Sequence, residues 1–289
     1  MAVGTLLSQA VSNAPELDWG DTVSRRFALF HPPPGRPRLQ WPCLVLPVLL
    51  ACGSGEPEAG GADGAVLPDD APAAAVHVFT YSEVRTRNDW TTALQAFREQ
   101  VLPGIVEQGG LLVGVWHEVP LKDDAPFERL GPNELLVMIA WPDESVDAPS
   151  GRSDRALTVL DEVVRVRTRS FRSTVRPERV SELSRPGFFV HRVSTFAPED
   201  INTVIRLSVE AWQTFEPTFG AEVIGLFRET PDRDGTAQML RIAWYRSYEG
   251  WQESRMFGRD PSSLERFRAR GELQIDSEGY AGALAVNQR

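Results

Sequence analysis

From residue 76 onward the chain alternates short strand-like and helix-like patterns. Val76-His77-Val78-Phe79-Thr80-Tyr81-Ser82-Glu83-Val84 is β-rich and partly alternates apolar with polar, which predicts a strand. Asn88 or Asp89 can cap the helix that follows, in which Trp90, Leu94, Phe97, Val101 and Ile105 recur at helical spacing. Pro103 interrupts that stripe late, and Gly109-Gly110 ends it. Residues 111–119 read as a strand and residues 134–141 as its hairpin partner. A second helix is expected from Asp154 to about Val166, with Leu157, Leu160 and Val164 in register. Its end is ambiguous, because Val164, Val166 and Thr168 alternate with Arg165, Arg167 and Arg169 as a strand would. Residues 171–175 make a short closing strand.

Residues 176–187 are polar and contain Pro177 and Pro186, which marks a linker. The same order of elements then returns. Residues 188–196 form a strand, and Pro198 suits the first turn of a helix running to about Phe215. Residues 221–230 and 238–245 form a hairpin. A helix from Tyr248 covers Trp251, and Asp260-Pro261 caps a further short helix carrying Leu264 and Phe267. Residues 280–286 close the unit as a strand.

The repetition extends to single residues. Val113-Gly114-Val115-Trp116-His117-Glu118-Val119 recurs as Ile224-Gly225-Leu226-Phe227-Arg228-Glu229-Thr230, an offset of 111. Trp90, Leu94 and Val101 map onto Ile201, Ile205 and Trp212 at that offset, and Ala140-Trp141 onto Ala243-Trp244 at 103. Each half therefore reads β-α-β-β-α-β, the ferredoxin-like pattern. Its central strands are apolar on both faces, so each unit needs a partner to cover the face its helices leave bare. The expected fold class is α+β, with two tandem ferredoxin-like units forming an intramolecular pseudo-dimeric barrel. The units are residues 76–176 and 188–289, joined by a linker at 177–187.

Bulk properties narrow the partners. A formal net charge of −10 argues against nucleic acid, which needs a basic face. The two cysteines, Cys43 and Cys52, both precede the predicted domain, so no disulfide or cysteine-based metal site holds it together. Residues 1–52 divide into an extension without clear periodicity and an apolar run ending at Cys52, too short to span a bilayer. Leu49-Leu50-Ala51-Cys52 resembles a bacterial lipobox. In that family of signals the small residue before the cysteine permits cleavage, and the sulfur carries a diacylglycerol. The resemblance implies a lipidated Cys52, a flexible tether over residues 53–75 and a place at the bacterial cell envelope. The alternative is a cytoplasmic protein with a disordered N-terminal extension.

Gly114-Val115-Trp116 after a helix, Trp244-Tyr245 followed by Ser247 and Trp251, and then Ser254-Arg255 resemble the NIPSNAP-like branch of the dimeric α+β-barrel superfamily. The match covers roughly residues 76–287. The resemblance implies a pseudo-dimer within one chain. The superfamily also holds cofactor-free monooxygenases, haem-degrading enzymes and haem peroxidases, while the NIPSNAP-like branch mostly lacks an assigned reaction.

The candidate ligand-binding residues are Tyr81, Trp116, His117, Trp141, Trp244, Tyr245, Trp251 and Arg255. Aromatics on barrel strands suit an apolar cavity, with hydroxyls orienting the ligand. Arg241 and Arg255 suit an anionic head group. Plain core packing is the competing reading for the aromatics, and a satisfied edge histidine for His117. No HxxxH, HExxH or cysteine-rich spacing marks a metal site, and no cofactor is expected. Haem held by His117 or His191 is the weakest reading. The expectation is a binding protein for a small apolar ligand or a protein partner. The alternative is a cofactor-free monooxygenase-type enzyme acting on an aromatic or polycyclic substrate. The chain is expected to be a monomer with an internal pseudo-dimer, with further homo-oligomers left open.

Overall fold

A computed structural model describes residues 71–122, 125–143, 148–160, 162–231 and 235–285. All of these residues belong to one compact unit, Ala62–Arg289. Cys52 and the apolar run before it lie outside the described residues.

Nine strands and six helices alternate among the described residues. The first half runs β1 (His77–Thr86), α1 (Trp90–Ala96), α2 (Leu102–Glu107), β2 (Leu111–His117), β3 (Glu128–Arg129), β4 (Glu134–Pro142), α3 (Pro149–Thr158) and β5 (Val163–Arg176). The second runs β6 (Phe188–Phe196), α4 (Ile201–Phe219), β7 (Glu222–Glu229), β8 (Ala237–Tyr245), α5 (Tyr248–Glu253), α6 (Pro261–Glu272) and β9 (Gln274–Leu284).

The sheet order is β2-β4-β1-β5-β7-β8-β6-β9, and β9 pairs back onto β2. Eight antiparallel strands thus form a closed barrel, with the short β3 added in parallel on β9. Closure leaves no long free edge among these strands. Pairing is the same in both halves: β1 lies between β4 and β5 as β6 lies between β8 and β9. The halves meet edge to edge through β5–β7 and β9–β2.

The core has three parts. Phe79, Tyr81, Trp116, Met138, Phe171, Phe189, Phe227 and Ile242 fill the barrel interior. Val84, Leu94, Phe97, Val101, Ile105, Val137 and Trp141 pack the helices of the first half on the outer wall. Val190, Ile201, Val204, Trp212, Phe215, Met239 and Tyr245 do so in the second half. Both faces of β4 are consequently buried, which accounts for its unbroken apolar run.

Local signals hold where side chains make them. Asp89 accepts from the backbone N–H groups of Thr91 at 3.0 Å and Thr92 at 3.1 Å, capping α1. Asp260 accepts from Ser263 N–H at 3.0 Å and caps α6. A π-helical turn, Phe97–Val101, joins α1 to α2 just before Pro103, whose ring cannot donate into a regular helix.

Four expectations change. The helix expected over 154–166 is α3, ending at Thr158, and the Val/Arg/Thr alternation belongs to β5, which pairs with β1 from Val163 onward. The last strand begins at Gln274, because β6 offers a complete antiparallel edge that outweighs the weak propensity of Asp276-Ser277-Glu278-Gly279. The two Ala-Trp pairs do not correspond. Gly114 faces Met138 and Gly225 faces Ile242, so the counterpart of Trp141 is Tyr245, not Trp244. Finally, residues 177–187 are more than a polar connection. Val180 is 3% exposed and packs in the barrel core, and Leu183 N–H donates to Val113 C=O at 2.8 Å.

Candidate functional site

The two-residue period of the strands sorts the interior into levels. On β1 the inward residues are Phe79, Tyr81 and Glu83; on β6 they are Phe189, His191 and Val193. Phe79 and Phe189 form the first level, with Phe227, Ile242, Met138 and Trp244 beside them. Above this level lies a cavity of about 650 Å³. The linker roofs it through Val180, Ser181, Leu183, Ser184 and Arg185, and Ala71-Pro72 add to the wall. Val180 N–H donates to Pro72 C=O and Ala74 N–H to Glu178 C=O, each at 2.8 Å, which ties that wall to the linker. Exposed Arg179 and Glu222 bring the lining to the surface. The floor and sides are apolar and the rim is charged, the usual composition of a small-molecule site.

Trp244 marks the rim. Its Nε1 donates to Pro186 C=O at 3.0 Å, and the Arg185 guanidinium sits 3.4 Å above the ring. Arg185 also pairs with Glu222. These contacts hold the end of the linker to β7 and β8.

The second level is polar yet dry. Tyr81 and His191 stand 5.7 Å apart, and Trp116 meets His191 edge-on at 4.5 Å. All three are fully buried. Tyr81 Oη, Trp116 Nε1 and both His191 ring nitrogens have no hydrogen-bond partner among the described residues. Burial pushes the Tyr81 phenol well above the ordinary tyrosine range, with Glu83 adding to the effect. Burial also pushes His191 down to about 3, so its imidazole is neutral at physiological pH.

The third level closes the other end with charge. Arg169, 4% exposed, pairs with Glu83 at 2.9 Å and Glu278 at 2.6 Å and donates to Gln238 Oε1 at 3.3 Å. Burial opposes its charge, but the two carboxylates outweigh that and hold Arg169 firmly protonated.

The predicted site residues therefore separate. Trp244 lines the cavity, and Tyr81 and Trp116 lie directly beneath its floor. His117 points out of the barrel and stacks on Trp90 at 3.7 Å, with Nδ1 bonded to Glu118 C=O at 2.8 Å. Burial lowers its pKa. Trp141 lies in the outer core of the first half, where Nε1 donates to Thr80 Oγ1 at 3.1 Å and Ser153 Oγ at 2.8 Å. Trp251 packs against Phe127, Phe188 and Tyr248. Tyr245 and Arg255 line a second, smaller cavity outside the barrel. The sequence singled out His191 only as a strand histidine able to hold haem; strand pairing, which puts Phe79-x-Tyr81 and Phe189-x-His191 in matching places, brings it to Tyr81.

No family model matches the chain, and no curated protein matches it. Solved structures similar in outline include an anthrone oxidase-like protein, 14% identical, covering 73% of this chain and 92% of that one, with a TM-score of 0.49. A candidate monooxygenase from Lactobacillus acidophilus NCFM is 10% identical over 73% and 93%, with a TM-score of 0.46. A mutant chlorite dismutase from Candidatus Nitrospira defluvii is 11% identical over 73% and 92%, with a TM-score of 0.44. The chain is an α+β protein built on a closed eight-stranded antiparallel barrel, as its own strand pairing establishes.

Proposed function

We propose that this protein binds a small, largely apolar organic molecule in the barrel-end cavity beneath the 177–187 linker. The observation that carries the reading is the cavity itself: about 650 Å³ with an aromatic floor and a charged rim. Drug-sized ligands occupy sites of roughly this size. The rim cation Arg185 and the carboxylates Glu182 and Glu222 would orient a polar substituent at the mouth.

The rival, a cofactor-free monooxygenase-type enzyme acting on an aromatic or polycyclic substrate, needs a group that exchanges protons near neutral pH. The two buried candidates fit that role poorly, since Tyr81 is pushed up and His191 down to about 3. They suit neutral hydrogen-bonding instead. This favours binding over acid–base turnover.

Within the same reading, the matching halves descend from a duplication in a NIPSNAP-like branch, and a lipid on Cys52 tethers the barrel to the cell envelope. The shared order of pairing supports the first. The second rests on the sequence around Cys52, and fatty-acid labelling of cells with and without Cys52→Ala tests it.

The cavity is tested with the full chain and the fluorescent apolar probe N-phenyl-1-naphthylamine. Wild type is expected to bind one probe per chain. Ile224→Trp, which fills the cavity from a half-buried position, should abolish binding while the protein stays folded. Equal binding by both proteins would move the ligand elsewhere. Oxygen uptake with added phenols would turn the binder into an enzyme.

A further inference from the structure

A second cavity, of about 150 Å³, lies on the outer wall of the second half. Arg192 on β6 and Arg241 on β8 are direct cross-strand partners on this face. Like charges placed opposite each other destabilise a sheet. Arg270 from α6 and Arg255 from beyond α5 line the same cavity, so four guanidinium groups converge from strand, helix and loop. No carboxylate lines it among the described residues. Glu210 pairs with Arg206 and Arg266, Glu253 lies 3.9 Å from Arg259, and Asp260 caps α6.

Donors are also left over. Arg192 Nε and Trp212 Nε1 line the cavity, are buried, and have no hydrogen-bond partner among the described residues. Arg270 has a long bond, 3.3 Å, to Ser208 Oγ. Arg255 lies over the Trp251 ring at 5.6 Å and Arg270 over Phe267 at 5.2 Å, which fixes both side chains beside the cavity.

We propose that this arginine cluster is a binding site for a tetrahedral oxyanion, the phosphate group of a small phosphate ester or diphosphate. Arg192, Arg241 and Arg270 approach from two strands and a helix, with Arg255 at the mouth, and donors arriving from several sides suit a tetrahedral anion better than one planar carboxylate. The volume matches. A water occupies about 30 Å³ of liquid, so the cavity holds the equivalent of about five waters, enough for a phosphate group but not for a nucleoside or polycycle. The rest of such a ligand would project outward past exposed Arg255. Electrostatics agree with the geometry. Burial, then mutual repulsion, lowers Arg192 and Arg270, and burial together with Arg192 and Arg255 brings Arg241 down to about 10. A bound phosphate would reverse that penalty.

The test uses the full chain in a phosphate-free buffer of fixed ionic strength, with calorimetry and thermal melts against pyrophosphate and inorganic phosphate. Wild type is expected to bind one pyrophosphate and to melt higher in its presence than in matched chloride. Arg241→Gln and Arg270→Gln should each weaken binding about tenfold or more, the size of a lost charge-assisted hydrogen bond. Without anion, both variants should melt no lower than wild type, because each removes a repelling charge; a purely structural arginine would lower the melt. Exposed Arg165→Gln, on β5, should leave binding unchanged. Vesicles of phosphatidic acid and of phosphatidylcholine separate the sources of the phosphate. Sedimentation with the former alone, competed by pyrophosphate, assigns it to a lipid; soluble binding alone assigns it to a free ester. Anion-independent melting of wild type, or equal binding by Arg241→Gln and Arg270→Gln, would overturn the site. Neither result bears on the apolar probe in the barrel.

Discussion

Tyr81 on β1 and His191 on β6 hold equivalent positions in the two halves and face each other inside the barrel, ring centroids 5.7 Å apart. Each follows by two residues a phenylalanine that lines the cavity. Neither half contains the pair alone; barrel closure creates it. The polar atoms of both rings have no hydrogen-bond partner among the described residues. An unsatisfied buried polar group costs about 1–3 kcal/mol, so this level of the barrel carries a stability penalty that a purely structural core would avoid.

Tyr81→Phe removes the hydroxyl and keeps the ring. Urea denaturation of the ligand-free variant should show a gain of about 1 kcal/mol in unfolding free energy. A loss of that size would mean that the hydroxyl is held by a partner in the folded protein.

His191 makes stability depend on pH. Its folded pKa, about 3, lies below the unfolded value of 6.5, so the unfolded chain takes up the proton first as pH falls. Its stabilising contribution is complete above about pH 6.5 and declines between 6.5 and 3, at up to about 1.4 kcal/mol per pH unit. His191→Phe should flatten the acid limb of the stability profile across that window. Parallel wild-type and variant profiles would show that His191 takes up its proton at the same pH in the folded and unfolded chain.

Gly114 and Gly225 each lie beneath an aromatic ring two residues on. A Cβ at Gly114 would meet the Trp116 ring at 2.9 Å, and one at Gly225 would meet the Phe227 ring at 2.3 Å. Gly114→Ala and Gly225→Ala are each expected to cost about 1–3 kcal/mol by overpacking, with Gly225 the worse. Thermal melts check the order. Pairing Gly225→Ala with Phe227→Leu should recover part of the loss, because the smaller side chain frees the space above position 225.

Arg169→Met would leave Glu83 and Glu278 facing one another without their shared cation. These carboxylates are 24% and 30% exposed, so water screens part of the repulsion, and a loss of about 2 kcal/mol is expected at pH 7. Salt screens the remaining repulsion, so the deficit relative to wild type should shrink in about 1 M sodium chloride. A deficit that does not change with salt would assign the loss to packing.

The strand–helix order was readable because each element buries a regular stripe. Phe97, Val101 and Ile105 stay four residues apart through the π turn, and Asp89 and Asp260 cap as their sequence contexts indicate. The Gly-x-aromatic motif was visible as a repeat, but its cause was not: the glycine is needed because the ring two residues later folds onto it. The start of β9 is not legible in the sequence, since its polar residues are recruited by the edge of β6 rather than by their own propensity. The Ala-Trp match does not hold because a shared dipeptide does not fix register; backbone pairing does, and it makes Tyr245 the counterpart of Trp141.

By itself the sequence determined the element types, the repeated β-α-β-β-α-β order and the need of each half for a partner, because periodicity and capping act over a few residues. Only the tertiary structure decided that the halves close edge to edge, that the linker roofs a cavity, and that Tyr81 meets His191 while Arg192, Arg241, Arg255 and Arg270 converge. Tyr81 and His191 are 110 positions apart and the paired Trp116 and Leu284 are 168 apart, and strand register, which no local pattern encodes, brings them together.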